Sequence, residues 1–185
     1  YYSDDSAQED FYVPRSIEVI ALQKRPREKK QRYFPELTDA KDIAIYYANK
    51  LCKNGGVAIF ANRTSTVLTV INRIIELRDR GCLLAEIKGN SDGKEMSRLA
   101  QLMSDYYGEQ HPYTIACYLG VVPHYSNLPN GLRLAVEHAC RNKALRLIVC
   151  TSTLAQGVNI PIKYLFMTSF MVARNSMRIR SFQNL

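Results

Sequence analysis

The chain of 185 residues has no Trp and only three His. Its five cysteines, Cys52, Cys82, Cys117, Cys140 and Cys150, form no CxxC pair, and no His lies at a ligand-like spacing from them. Structural zinc is therefore not expected. An odd number of thiols, mostly on apolar faces, points to reduced, buried cysteines and an intracellular protein, cytoplasmic or nuclear. No apolar run approaches the ~18 residues of a membrane span, and the N-terminus does not read as a signal peptide, so no membrane partner is expected. Internal repeats and low-complexity segments are absent as well.

What is present is basic. Lys and Arg number 25 against 17 Asp and Glu, a formal charge of +8. That balance favours a polyanion, nucleic acid before membrane, although charge can also serve only to keep a soluble protein dispersed. Residues 1–12 are polar, acidic and aperiodic, a tail or linker. Residues 15–22 are β-branched enough for a strand. The basic run 24–32 reads first as a solvated connector and second as a phosphate contact.

From residue 38 the pattern becomes regular. Thr38 is expected to cap a helix with Ala44, Ala48, Leu51 and Cys52 on one face, ended by Asn54-Gly55-Gly56. Residues 57–61 form a continuous apolar strand of the kind buried in parallel sheets. Thr64 is expected to cap a second helix with Val67, Val70, Ile71, Ile74 and Ile75 at helical spacing, stopped at Gly81. Met96, Leu99, Ala100, Met103 and Tyr107 predict a third helix, and 111–119 one or two further turns. Strands are predicted at 120–124, 145–150 and 163–170, with a helix capped by Asn130 carrying Leu132, Ala135, Val136, Ala139 and Cys140. Short apolar strands alternating with amphipathic helices predict an α/β domain with a mostly parallel central sheet.

Ligands of such sheets bind at the carboxyl ends of the strands. Three ends carry polar clusters: Asn62-Arg63-Thr64, His124-Tyr125-Ser126-Asn127 and Thr151-Ser152-Thr153. Each alone could be a set of helix caps. Three on one edge of a basic chain suit a phosphate backbone. In "TSTLAQGVNIP" (151–161), Gly157 permits a sharp turn, and Pro161 forces Ile160 extended. The segment "GNSDGKE" (89–95) imitates a phosphate-binding loop. Three residues lie between its glycines instead of four, and Glu95 stands where a Mg²⁺-holding hydroxyl belongs. No complete acid–base, nucleophilic or metal set is apparent.

The stretch "TSTLAQGVNIP" resembles motif V of superfamily-two helicases, in the superkiller-like branch of the DExH group. "VAIFANRTS" (57–65) resembles motif IV, and "YLGVVPHYSNLP" (118–129) with the helix after it resembles the run into motif V. The agreement spans about residues 40–185, and "SFQNL" (181–185) resembles the start of motif VI. The resemblance implies a second, C-terminal RecA-like lobe, a three-layer α/β sandwich, over 37–185, preceded by a linker and lead-in strand over 1–36. It implies ATP with Mg²⁺ in a cleft shared with a first lobe that holds most of both. It implies DNA or RNA, single-stranded, on a track across the lobes. Carried over by position, Thr151, Thr153, Asn62, Arg63 and His124 would lie on that track, and Gly157, Asn159 and Gln183 at the nucleotide. Many relatives have Asp where Asn159 stands. The phosphate-binding loop, the acidic Mg²⁺ motif and the motif VI arginines lie outside these 185 residues, so the chain reads as one lobe of a larger motor, expected to be inactive alone. The alternative is a RecA-like module that binds nucleic acid or protein without catalysis. The stretch 82–118 is not explained by the motifs.

Overall fold

The computed structural model describes residues 17–82, 84–151 and 160–168, and the backbone of 171–172 and 175–176. Its centre is a four-stranded parallel sheet of β3 (Gly56–Phe60), β4 (Val121–His124), β5 (Leu147–Cys150) and β6 (Ile162–Met167), in the order β4-β5-β3-β6. β4 and β5 are buried throughout and β3 nearly so. Such strands read as continuous apolar runs because helices cover both faces. A short hairpin of β1 (Ile20–Ala21) and β2 (Tyr33–Phe34) precedes the sheet, and Met171–Val172 pairs with Asn175–Ser176 as β7 and β8 after it.

The helices are α1 (Ala40–Leu51), α2 (Thr64–Asp79), α3 (Ala85–Gly89), α4 (Gly93–Tyr107), α5 (Pro112–Cys117) and α6 (Asn130–Arg141). The path from β3 to β4 passes over β5, and the path from β4 returns to it. Right-handed connections running in opposite directions put α2 on one face and α6 on the other, with α4 packed against both α5 and α6. This is the three-layer RecA-like α/β class that the sequence predicts.

Helix boundaries follow side-chain chemistry, with local departures from expectation. Asp39, not Thr38, caps α1, its carboxylate accepting from the Lys41 N–H at 2.9 Å. Thr64 is the first residue of α2, and the cap position, Arg63, makes no side-chain capping bond. Asn130 likewise begins α6, and its Oδ1 accepts from Arg133 at 2.9 Å. The imitation phosphate loop has a structural use. Asp92 caps α4 by accepting from the Lys94 and Glu95 N–H groups at 2.8 and 3.0 Å, so a carboxylate already occupies that helix end. The strand expected over 15–22 is short because β1 pairs only with Tyr33 and Phe34. Gly56 is required where β3 meets β6: a Cβ there would lie 2.5 Å from the Pro161 carbonyl oxygen.

The basic run 24–32 is the tip of the hairpin, and buried charge fastens it. Arg80, 3% exposed, donates to Glu28 at 2.8 and 3.1 Å, to Glu76 at 2.8 Å and to the Gln23 carbonyl at 3.2 Å. Two turns earlier, Arg73 donates twice to Asp42 of α1, at 2.8 and 2.7 Å, and once to Glu76 at 2.8 Å. The hydrogen bond from Arg80 holds the Glu28 carboxyl at about 2, against 4.5 unperturbed. Burial works to raise Glu76, but the bonds and charges of Arg73 and Arg80 outweigh it and lower it. A depressed folded-state value stabilises the fold above the unfolded value and ceases to as pH falls through it. Acid titration followed by circular dichroism is therefore expected to show stability falling from about pH 4.5 towards 2. Glu28→Gln should flatten that dependence; an unchanged acid profile in this variant would contradict the assignment.

All five thiols are free and buried. Burial pushes those of Cys117, Cys140 and Cys150 up to about 12, which makes them inert packing groups. Among the described residues, no helix is long and apolar enough to cross a membrane.

Candidate nucleic-acid interface

The parallel register aligns the carboxyl ends of all four strands. His124 pairs with Cys150, Cys150 with Phe60, and Phe60 with Met167. One step further the backbone still interlocks. Thr151 N–H donates to the His124 carbonyl at 3.1 Å, and Ala61 N–H to that of Cys150 at 2.8 Å. Thr168 donates to the Phe60 carbonyl from both its N–H, at 3.1 Å, and its hydroxyl, at 3.0 Å. Tyr125, Thr151, Ala61 and Thr168 thus stand side by side, on strands spaced about 4.8 Å apart. The described residues of the three polar clusters, 62–64, 124–127 and Thr151, meet on one edge.

At the middle of that edge α2 begins. Asn62 is half-buried, and its Oδ1 accepts from the Thr66 hydroxyl at 3.4 Å. Arg63, Thr64 and Ser65 are exposed. The first N–H groups of a helix lack intrahelical partners and carry the positive end of its dipole, so this terminus attracts an anion. Arg63 adds a full charge and makes no salt bridge among the described residues. Thr151 sits one strand away, 9% exposed.

His124 requires a correction. Its ring was expected on the track, but it is 1% exposed and its Nε2 lies 3.0 Å from Glu137 Oε1 of α6. Facing a carboxylate, Nε2 donates, and Nδ1 has no hydrogen-bond partner among the described residues. Arg141 and Arg133 approach the same carboxylate at 3.5 and 4.0 Å. His124 therefore pins α6 to β4 and is not available to a phosphate. Its neighbour Tyr125, also buried, belongs to an aromatic group that the motif reading does not anticipate.

Thr153, Gly157, Asn159 and Gln183 lie outside the described residues. Among the described residues, no group of three or more His, Cys, Asp or Glu is placed to hold a metal ion.

No family model matches the chain. It is 27% identical over 181 residues, 97% of its length, to Hachiman protein HamB of Bacillus cereus, of which it covers 16%. It is 37% identical over 73 residues to ATP-dependent DNA helicase Hel308 of Thermoplasma volcanium, covering 40% of this chain and 10% of that protein. To Hel308 of Aeropyrum pernix it is 39% identical over 51 residues, 28% of this chain and 7% of that one. The chain is related to helicases. Among solved structures, a crystal structure of the DUF1998 helicase MrfA bound to DNA and AMPPNP aligns with a TM-score of 0.43 at 15% identity, over 76% of this chain and 16% of that one. This helicase-related chain spans less than a fifth of each of these proteins.

Proposed function

We propose that the chain is the C-terminal motor lobe of an ATP-dependent nucleic-acid helicase, supplying half of an ATP cleft and part of a single-strand track. The observation that carries this reading is the strand-end register, which brings Asn62 and Arg63, past the end of β3, to the same edge as Thr151, past the end of the neighbouring β5. A phosphate there meets the start of α2, the Arg63 guanidinium and a hydroxyl. These donors recognise a backbone and no particular base. Thr153 extends the same track. Gly157, Asn159 and Gln183 face the nucleotide, Asn159 near the ribose, with a first lobe supplying the Mg²⁺ site and most of the phosphate contacts. ATP closes the two lobes and its hydrolysis releases them. Such phosphoryl transfer rests on positioning and charge neutralisation.

The test is kinetic and uses the intact parent protein. Thr151→Ala is expected to reduce nucleic-acid-stimulated ATP turnover about tenfold, with basal turnover little changed. Equal loss of both would move Thr151 to the nucleotide or the scaffold. The 185-residue chain alone is expected not to hydrolyse ATP; steady turnover abolished by Asn159→Ala would contradict the half-cleft reading.

A further inference from the structure

The segment between α2 and β4, which the motif resemblance leaves unexplained, builds an aromatic stack at the same edge. Its helices run the length of the sheet. The Arg146 Nε–H, just before β5, donates to the Asn90 carbonyl at 3.0 Å, and the Asp92 N–H donates to the Ala144 carbonyl at 2.7 Å. α4 therefore starts at the amino ends of the strands. Its 15 residues rise about 22 Å, which carries Tyr107 to the carboxyl ends. There Tyr125, one residue past β4, lies 6.1 Å from the ring of Tyr113 on α5. Tyr113 meets Tyr107 edge-on at 5.6 Å. Tyr107 stacks on His111 at 4.7 Å with only 23° between the planes.

His111 is held in place. Its Nδ1 accepts from the Tyr113 N–H at 3.2 Å as the cap of α5, and its ring edge meets Tyr113 at 4.8 Å. Burial lowers its pKa, which keeps the imidazole neutral at pH 7. One face of the imidazole is covered by Tyr107. The opposite face meets no ring among the described residues, and the residue is only half-buried. Tyr106, 63% exposed, flanks the pair. A neutral, rigid, partly open ring stack fits another flat ring. The nearby exposed residues Asp105 and Glu109 disfavour a phosphate at this spot but not a base.

We propose that the His111–Tyr107 pair is a stacking platform for an unpaired base of a single-stranded nucleic acid whose backbone crosses the adjoining strand edge. The platform rests on the track reading above. It adds to phosphate contacts a site that requires bases to be present and unpaired. Stacking on aromatic side chains tolerates any base, because every base offers a flat face.

The experiment titrates the full chain with two labelled strands of equal length, an oligothymidylate and one whose bases are all replaced by abasic sugars. The phosphates are the same in both. Oligothymidylate is expected to bind about tenfold more tightly. His111→Asn keeps a capping acceptor and removes the ring. It should erase most of that preference while leaving the abasic strand's affinity unchanged, with the melting temperature as a check on folding. A strand carrying 2-aminopurine should lose fluorescence on binding the unaltered chain, a readout that needs no variant. Equal affinity for the two strands, a preference that His111→Asn leaves intact, or unquenched 2-aminopurine overturns the platform and leaves the phosphate track standing. Failure of both strands to bind overturns the track and the platform together.

Discussion

Asp42→Ala is expected to cost about 3 kcal/mol or more of folding stability and to lower the melting temperature by roughly 10 °C. The Asp42 carboxylate is 1% exposed and receives two hydrogen bonds from Arg73 and a third from the Glu36 N–H at 3.0 Å. Its removal leaves a largely buried guanidinium without its main counter-charge, and burial of an uncompensated ion is the expensive case. The loss also reaches the sheet. Arg73 joins α1 to α2, and through Glu76 and Arg80 to the hairpin, so α2 loses an anchor at the end opposite Arg63. Asp42→Asn should lose less, because the amide oxygen can still accept. Pairing Asp42→Leu with Arg73→Met should recover much of the loss, since apolar replacement of a whole buried pair is often neutral. A fall under about 1 kcal/mol for Asp42→Ala would mean that the pair behaves as a surface salt bridge.

Arg63→Ala is expected to weaken single-strand binding about fivefold near physiological salt. It should also reduce the slope of log affinity against log salt by about 0.7, the signature of one lost phosphate contact. Arg63→Glu should weaken binding further by placing like charge beside the backbone. The loss is expected to be uniform across sequences, because the contact reads phosphate and not base. Since Arg63 is exposed and makes no capping bond, neither variant should shift the melting temperature by more than a degree or two. An unchanged salt slope would remove Arg63 from the interface.

The parts of this fold legible in the sequence are those with a local period. The repeat of Met96, Leu99, Ala100 and Met103 gives α4 its buried face, and the unbroken apolar runs become β3 and β5. The alignment of the strand ends at Phe60, His124 and Cys150 on one edge also follows, because parallel strands share a direction. Pairings across the chain were not legible. Glu28 and Arg80 are 52 residues apart, and Asp42 and Arg73 are 31 apart. Nothing in the spacing of a basic run distinguishes a loose connector from a hairpin tip fastened by one buried arginine. His124 shows the same limit at one residue. A polar side chain ending a strand can turn outwards to a ligand or inwards to a partner, and Glu137 on the following helix decides for inwards. Caps slipped by a residue where several candidates adjoin, as with Thr38 and Asp39. The aromatic stack brings together residues from α4, from α5 and its cap, and from just past β4, so no single window reveals it.

The most direct test of the interface maps it residue by residue. Backbone amide shifts of the isotope-labelled chain would be followed by nuclear magnetic resonance during titration with a short single-stranded oligonucleotide. The account predicts the largest changes at 61–66, 125–127 and 151, along the carboxyl ends of β3, β4 and β5 and the start of α2. Changes confined to the basic hairpin at 24–32, with that edge silent, would contradict it.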